Sequence, residues 1–245
     1  MPNQVISIFI DKSKLESLAS IIDSLGIPKV KPTSEHELFR FSADGKYAII
    51  YKTGSVVLRG IDPSVLIFSL YPESPGSVRI GCDEAGKGEP TGSIFCACVA
   101  LSAANENELR ALGVRDSKEL SDEQITWLAK KISAIADVVK VIKITPETIS
   151  KAKHMGFSIN RLLTKSYSRL LSSVVSVLSA KSISSDKISM IIDDYNSVEC
   201  SILAEKFKNV VFFPRAEKYI PVAAASIIAR AAYLQEKEKK AKPWA

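Results

Sequence analysis

Histidine is almost absent: His36 and His154 are the only two in 245 residues. That leaves little material for a zinc centre or a histidine-driven triad. Long apolar runs are missing as well, since none reaches the roughly 18 residues of a membrane span. The polar start "MPNQ" lacks the charged-then-apolar pattern of a signal peptide. The expectation is a cytoplasmic protein that makes no use of a membrane. Cysteine is sparse, at four residues. Cys82, Cys96, Cys98 and Cys200 fit a reducing compartment as free thiols. Cys96 and Cys98 sit inside an apolar run, where small buried hydrophobes are expected and not metal ligands. No internal repeat is present, and no low-complexity tract beyond the charged tail.

What is present begins with charge. Lys and Arg exceed Asp and Glu by 33 to 27, a formal +6. Residues 1–73 hold eight of each sign, so the whole excess lies in the C-terminal part. A basic balance of this kind points mildly to a polyanionic partner.

The chain divides at "YPESPGS", residues 71–77, where Pro72, Pro75 and Gly76 read as a linker. Before it, "QVISIFI" is a β-branched strand. "DKSKLESLASIIDSLG" has helical spacing with Asp11 as N-cap and Gly26 as the stop. "HELFRFS", "YAIIYKT" and "SVVLRG" follow as strands joined by turns at "ADGK" and "TG". Strand, helix and three strands make a small α+β module over 1–72, with 73–77 as linker. Over 78–245 strands alternate with longer helices, opening with "VRIGC" and "SIFCACVAL", which could pair as a hairpin. Ser121 and Gln124 form a capping box for one helix. Thr145 and Pro146 open another, "INRLLTKSYSRLLSSVVSVL" is a long helix, and Pro221 sits in the first turn of the last one. The class is α/β with a mixed sheet.

Within this second region carboxylates stand at strand ends three times. Asp83 and Glu84 end the first strand, Asp193 and Asp194 end "ISMII", and Glu217 lies four residues beyond "NVVFF". An isolated acid at such a place is usually a solvated loop residue. Two adjacent acids after an apolar strand are different, because alternation would bury one of them and a buried unpaired carboxylate is costly. If the strand ends converge, the donors are all oxygen, a set suited to Mg²⁺ or Mn²⁺. Two such ions can clamp both oxygens of a phosphodiester displacement. "GCDEAGKG" also fits the start of a phosphate-cradling loop. That reading fails at Gly88, where Ser or Thr should follow the lysine, and it puts two negative charges where a triphosphate would sit.

"DEAGKG", "RDSKELS", "INRLL", "IDDY" and "AEKYIPVAAASIIAR" stand in the order seen in type 2 ribonucleases H, and the chain resembles that family from about Val78 to Leu234. Gly86-Lys87-Gly88, where the HII type carries arginine, and Glu217, where HII has aspartate, make it most like ribonuclease HIII. The N-terminal module resembles the TBP-like substrate-binding domain of HIII. The chain ends at "AKPWA", sooner than members of the family usually do, and the tyrosine with which HII senses an RNA–DNA junction has no counterpart.

The resemblance implies a ribonuclease H-like mixed sheet flanked by helices. It implies an endonuclease that hydrolyses the RNA strand of RNA–DNA hybrids with two Mg²⁺ or Mn²⁺ ions, leaving 5′-phosphate and 3′-OH ends. The ligands would be Asp83, Glu84, Asp193 and Glu217, with Asp83 bridging and Asp194 in a capping or solvated role. Gly86, Lys87 and Gly88 would approach the ribose, whose 2′-OH separates RNA from DNA. Ser117 and Lys118, following Asp116, would contact phosphate; Asn160 and Ser226 are fainter candidates. A monomer with no obligate protein partner is implied. Two other readings remain open at this point: an HII-type nuclease of junctions and single ribonucleotides, and a non-catalytic hybrid-binding protein.

Overall fold

A computed structural model describes residues 5–72, 74–89 and 92–241. Glu73 of the expected linker, the start "MPNQ" and the last four residues of "AKPWA" lie outside the described residues. In chain order the elements are β1 (Val5–Ile10), α1 (Leu15–Ser24), β2 (Lys29–Val30), β3 (Glu37–Ala43), β4 (Lys46–Tyr51), β5 (Ser55–Arg59) and α2 (Pro63–Leu70). They continue with β6 (Val78–Ala85), β7 (Ile94–Ser102), α3 (Ala103–Ala111), α4 (Asp122–Ile135), β8 (Val138–Ile144), α5 (Pro146–His154) and α6 (Ile159–Ala180). The last four are β9 (Ile188–Asp193), α7 (Ser197–Lys206), β10 (Val210–Phe213) and α8 (Ile220–Ala241).

By their contacts the residues form two units, Met1–Pro75 with Asp194–Pro214, and Gly76–Asp193 with Arg215–Ala245. The sequence reading assigns all of 78–245 to one domain, whereas Asp194–Pro214 groups with the N-terminal residues. Backbone pairing is the reason: β10 is antiparallel to β1, with Phe9 opposite Phe212 and Ile10 opposite Val211. In this unit the antiparallel order is β2-β3-β4-β5-β1-β10. Asp11 caps a short 3₁₀ turn ahead of α1, accepting from Ser13 N. The sequence reading assigns no element to 63–70, although its signals are present: Asp62 accepts from Ser64 N, and Pro63 stands at the first helical position.

In the larger unit the sheet order is β9-β6-β7-β8, with β9 parallel to β6 and the other pairs antiparallel. The expected hairpin of the first two strands is β6–β7. Its register sets Cys82 directly opposite Cys98, with Cα atoms 4.2 Å apart, and the two are joined as a disulfide. The expectation of four free thiols is corrected for this pair, because facing positions on adjacent strands bring the sulfurs together. Cys96 and Cys200 are free and buried.

α6 turns a stripe of Leu163, Tyr167, Leu170, Leu171, Val174 and Leu178 inward. α4 carries the expected capping box, reciprocal between Ser121 and Gln124. α8 packs through Ala223, Ala224 and Ala225, all fully buried. Small side chains let the helix come down onto β6 until the backbones touch. A Cβ at Gly81 would lie 2.1 Å from Pro221 C and 2.2 Å from Val222 N.

Neither backbone can yield at that crossing. Gly81→Ala is therefore expected to cost about 2–4 kcal/mol and lower Tm by roughly 5–15 °C. A melting curve that overlays the parent protein would show that α8 can back away freely.

Candidate active site

Because β6 and β9 run parallel, their C-terminal ends open in the same direction. The register pairs Cys82 with Ile192, and one residue further along stand Asp83 and Asp193. Both acids of the Asp83-Glu84 pair are half-buried. Strand alternation sends them toward different helices. Asp83 takes a hydrogen bond from Ser226 of α8 and from its neighbour Glu84 N at 2.8 Å. Glu84 takes one from the phenol of the buried Tyr167 on α6, at Oε2.

A cavity of about 500 Å³ lies at these strand ends. Asp83, Glu84, Gly86, Lys87, Ser117, Lys118, Asp193 and Ser226 line it. Seven of the nine expected site residues thus meet in one place. Glu217 does not line the cavity but belongs to the same charge array. It sits in a 3₁₀ turn, Ala216–Lys218, entered through Arg215 at φ +61°, and its Oε1 is 3.5 Å from Lys118 Nζ. Gly88 continues the loop without lining the cavity. Asn160 is not a lining residue either; its carbonyl accepts from the Thr164 hydroxyl within α6.

The two aspartates of "IDDY" part company. Asp193 accepts from Ala216 N at 3.0 Å and feels Glu217 and Glu84. Asp194 accepts from the Cys200 thiol at 3.4 Å, within the other unit.

Burial, followed by the charge of Glu84, pushes the Asp83 carboxyl up to about 8. Burial also raises Asp193, against the help of Ala216 N and with the repulsion of Glu217 and Glu84 added. Burial works against the charge of Lys118, but Glu217, Asp116 and Asp83 outweigh it and lift the ammonium above its ordinary range. The carboxylates are short of positive charge. Lys87, 3.7 Å from Glu84 Oε1, and Lys118 are the cations standing beside them.

Among the described residues, no three Asp, Glu, His or Cys side chains are drawn tightly enough together to hold an ion as they stand. The donor set still fits a hard divalent cation: every candidate ligand is a carboxylate oxygen, and the acids repel one another where they are buried.

The glycine loop is held firmly. Gly86, at φ +90°, has Ser93 O 2.3 Å from where a Cβ would be, so only glycine fits. Glu89 ties the loop to α8 through Arg230 at 3.3 Å and the Tyr233 hydroxyl at 3.2 Å. Ser117 and Ser226 share a 2.8 Å hydrogen bond, which links the 117–119 turn to Asp83 through α8. Sequence reasoning misses Tyr167, Glu89, Arg230 and Tyr233. Tyr167 falls on the apolar stripe of α6 and reads as core; the other three are ordinary helix and loop residues until the chain is folded.

The raised Asp83 carries a sign that can be tested without cation. The folded protein keeps this proton up to about pH 8, whereas the unfolded chain releases it near pH 4. The metal-free fold should therefore lose stability as pH rises between those limits. Asp83→Asn should flatten that slope, Asp193 leaving a remainder, and should be more stable than the parent above pH 8. Partial solvent exposure holds the gain to on the order of 2 kcal/mol. Thermal melts in chelator from pH 4 to 9 measure it; an unchanged slope would refute the origin given for it.

The geometry can be compared with known proteins. A profile of the family "Ribonuclease HII" matches residues 80–243. Ribonuclease HIII of Protochlamydia amoebophila is 31% identical over 223 residues, covering 83% of this chain and 71% of the relative. Ribonuclease HIII of Aquifex aeolicus is 27% identical over 232 residues, covering 94% of this chain and 83% of the relative. Among solved structures, Bst-RNase HIII in complex with Mn²⁺ superposes with a TM-score of 0.61 at 22% identity. That match covers 97% of this chain and 84% of the other, and it speaks to the fold. The chain belongs to the ribonuclease HII family, the type 2 ribonucleases H, as an enzyme most like ribonuclease HIII.

Proposed function

We propose that this enzyme hydrolyses the RNA strand of RNA–DNA hybrids, leaving 5′-phosphate and 3′-OH ends, with two Mg²⁺ or Mn²⁺ ions during catalysis. The observation that carries the reading is the meeting of Asp83, Glu84 and Asp193 with the glycine loop around one cavity, where carboxylates are buried without enough positive charge. Asp83, Glu84, Asp193 and Glu217 would hold the cations. When bound, the ions supply charge to the attacking and leaving oxygens of the phosphodiester.

The chain's own groups do the rest. Ser226 and Glu84 N fix one side of Asp83, and Tyr167 fixes Glu84. The rigid loop at Gly86 presents backbone to the ribose, where a 2′-OH is the mark of RNA. Lys87 and Lys118 stand in for cations beside Glu84 and Glu217. Once those acids have better partners, both ammonium groups are available to the phosphates. The N-terminal unit adds hybrid contacts as a TBP-like domain. Removing residues 1–72 would strip β10 of its partner β1, so its role is better tested by surface substitutions than by deletion. Cleavage in the cytoplasm by a monomer completes the reading.

Digestion of a continuous hybrid, beside a duplex carrying one embedded ribonucleotide, tests it. The continuous hybrid should be cut in a divalent-cation-dependent manner and the single ribonucleotide poorly. Asp193→Asn should lose essentially all activity, while Asp194→Asn stays within a few-fold of the parent. Equal rates on the two substrates would move the enzyme to HII-type selectivity. An active Asp193→Asn would break the ligand assignment.

Tyr167→Phe isolates the hydrogen bond to Glu84, since the ring still fills its place in the core. A bond to a charged acceptor contributes about 1.5–3 kcal/mol, so kcat should fall roughly ten- to hundredfold. KM for the hybrid and Tm should hardly change. A fall in Tm with kcat intact would make Tyr167 a packing residue only.

A further inference from the structure

The positive charge of this chain is concentrated in one segment. From Thr148 to Ser185 there is no Asp or Glu, but there are Lys151, Lys153, Arg161, Lys165, Arg169 and Lys181. These six equal the whole net charge of +6; everything outside the segment balances at 27 against 27. In the fold the segment takes in α5 beyond Glu147 of its first turn, the turn after it, and all of α6.

Arg161, Lys165 and Arg169 recur at every fourth residue and so share one stripe of α6. Lys165 and Arg169 each lie two residues from the inward-facing Tyr167, a little over half a turn round the helix, and both are exposed. Lys165 Nζ sits 4.4 Å over the ring of Phe157, which is 37% exposed beside Met155 at 66%. Lys151 and Lys153 lie in the last turn of α5 and are exposed as well. Lys181 is bound to Asp137 O and takes no part. Like charges four apart weaken a helix, and here no acid is interleaved to relieve them.

We propose that the outer face of α5 and α6 is a sequence-independent contact for the phosphodiester backbone, holding nucleic acid that flanks the stretch in the active cavity. This rests on the hybrid reading above and names a surface outside that site. The cavity lies across α6: Tyr167 reaches Glu84 on the inner side, and the helix is about 10 Å thick. One phosphate cannot serve both places. Arg161 to Arg169 covers about 12 Å of helix, a length over which a duplex carries roughly seven phosphate charges. A lipid surface is the poorer match, because the apolar side of α6 is already buried in the core and cannot enter a bilayer.

The test is fluorescence anisotropy of the full chain in chelator, with hybrids of about one and about three helical turns, across a range of salt. The variant is Lys151→Gln/Lys153→Gln/Lys165→Gln/Arg169→Gln; the charge-keeping control is Lys151→Arg/Lys153→Arg/Lys165→Arg. On the long hybrid the Gln variant should lower the slope of log K against log salt by about three and bind roughly ten- to hundredfold more weakly at low salt. The short hybrid should be bound as by the parent and, once divalent cation replaces the chelator, cut as by the parent; the Arg control should keep the parent slope. An unchanged slope on the long hybrid would overturn the proposal. So would equal losses on both lengths, or loss of binding to phosphatidylserine vesicles with hybrid binding intact. If the parent protein failed to cut any hybrid, the catalytic reading would fall while the slope measurement still judged the surface.

Discussion

The contact between β6 and α8 at Gly81 governs the geometry of the site. With no side chain between them, the first turn of α8 rests on the strand two residues before Asp83. That seating fixes three things together. It brings Ser226, on the next turn of α8, to Asp83. It anchors the far end of the glycine loop, since Glu89 reaches Arg230 and Tyr233 along the same helix. It also sets the turn that carries Glu217, which leads directly into α8. The strand with its loop and the turn that carries Glu217 are far apart in sequence, and one helix without side-chain bulk at its crossing holds all of them.

The acids placed by this scaffold make the metal-free protein less stable than it could be. A carboxylate buried among carboxylates either takes a proton or attracts a cation, and both responses are visible. Asp83 is pushed up far enough to keep its proton near neutrality, while Lys87 and Lys118 lean on Glu84 and Glu217. Hydrogen bonds from Tyr167, Ser226 and Ala216 N then hold the side chains in place despite their repulsion. An uncompensated local conflict of this sort belongs to sites, not to scaffolding.

Much of this was legible before folding, and for definite reasons. Period and punctuation gave the capping box at Ser121, the long helix of α6 and the β6–β7 hairpin, because these depend on neighbours in sequence. The ordered motifs singled out acids and lysines that the fold brings together. What stayed hidden depends on contacts across the chain. Tyr167 is indistinguishable from core until its hydroxyl is seen at Glu84. Cys82 and Cys98 are opposed only through the register of two strands. The grouping of Asp194–Pro214 with the N-terminal unit follows from β10 pairing with β1, a partner some 200 residues away that no local pattern specifies. α2 is a different case: Asp62 and Pro63 announce it locally, and its short length hides it.

Separating the two signs of charge gives a polyanion a way to reach an acidic site. Bare carboxylates at the strand ends repel phosphate, and basic residues placed among them would pair with them and be lost to the substrate, as Lys87 and Lys118 already show in part. The acid-free segment avoids that loss by standing on the opposite side of α6 from Glu84. At physiological ionic strength charges are screened over about 8 Å, which is shorter than the thickness of a helix with its side chains. Each face therefore keeps its own field. The outer face can draw on the backbone of a long substrate while the inner one stays negative enough to favour divalent cations, and no residue has to serve both ends.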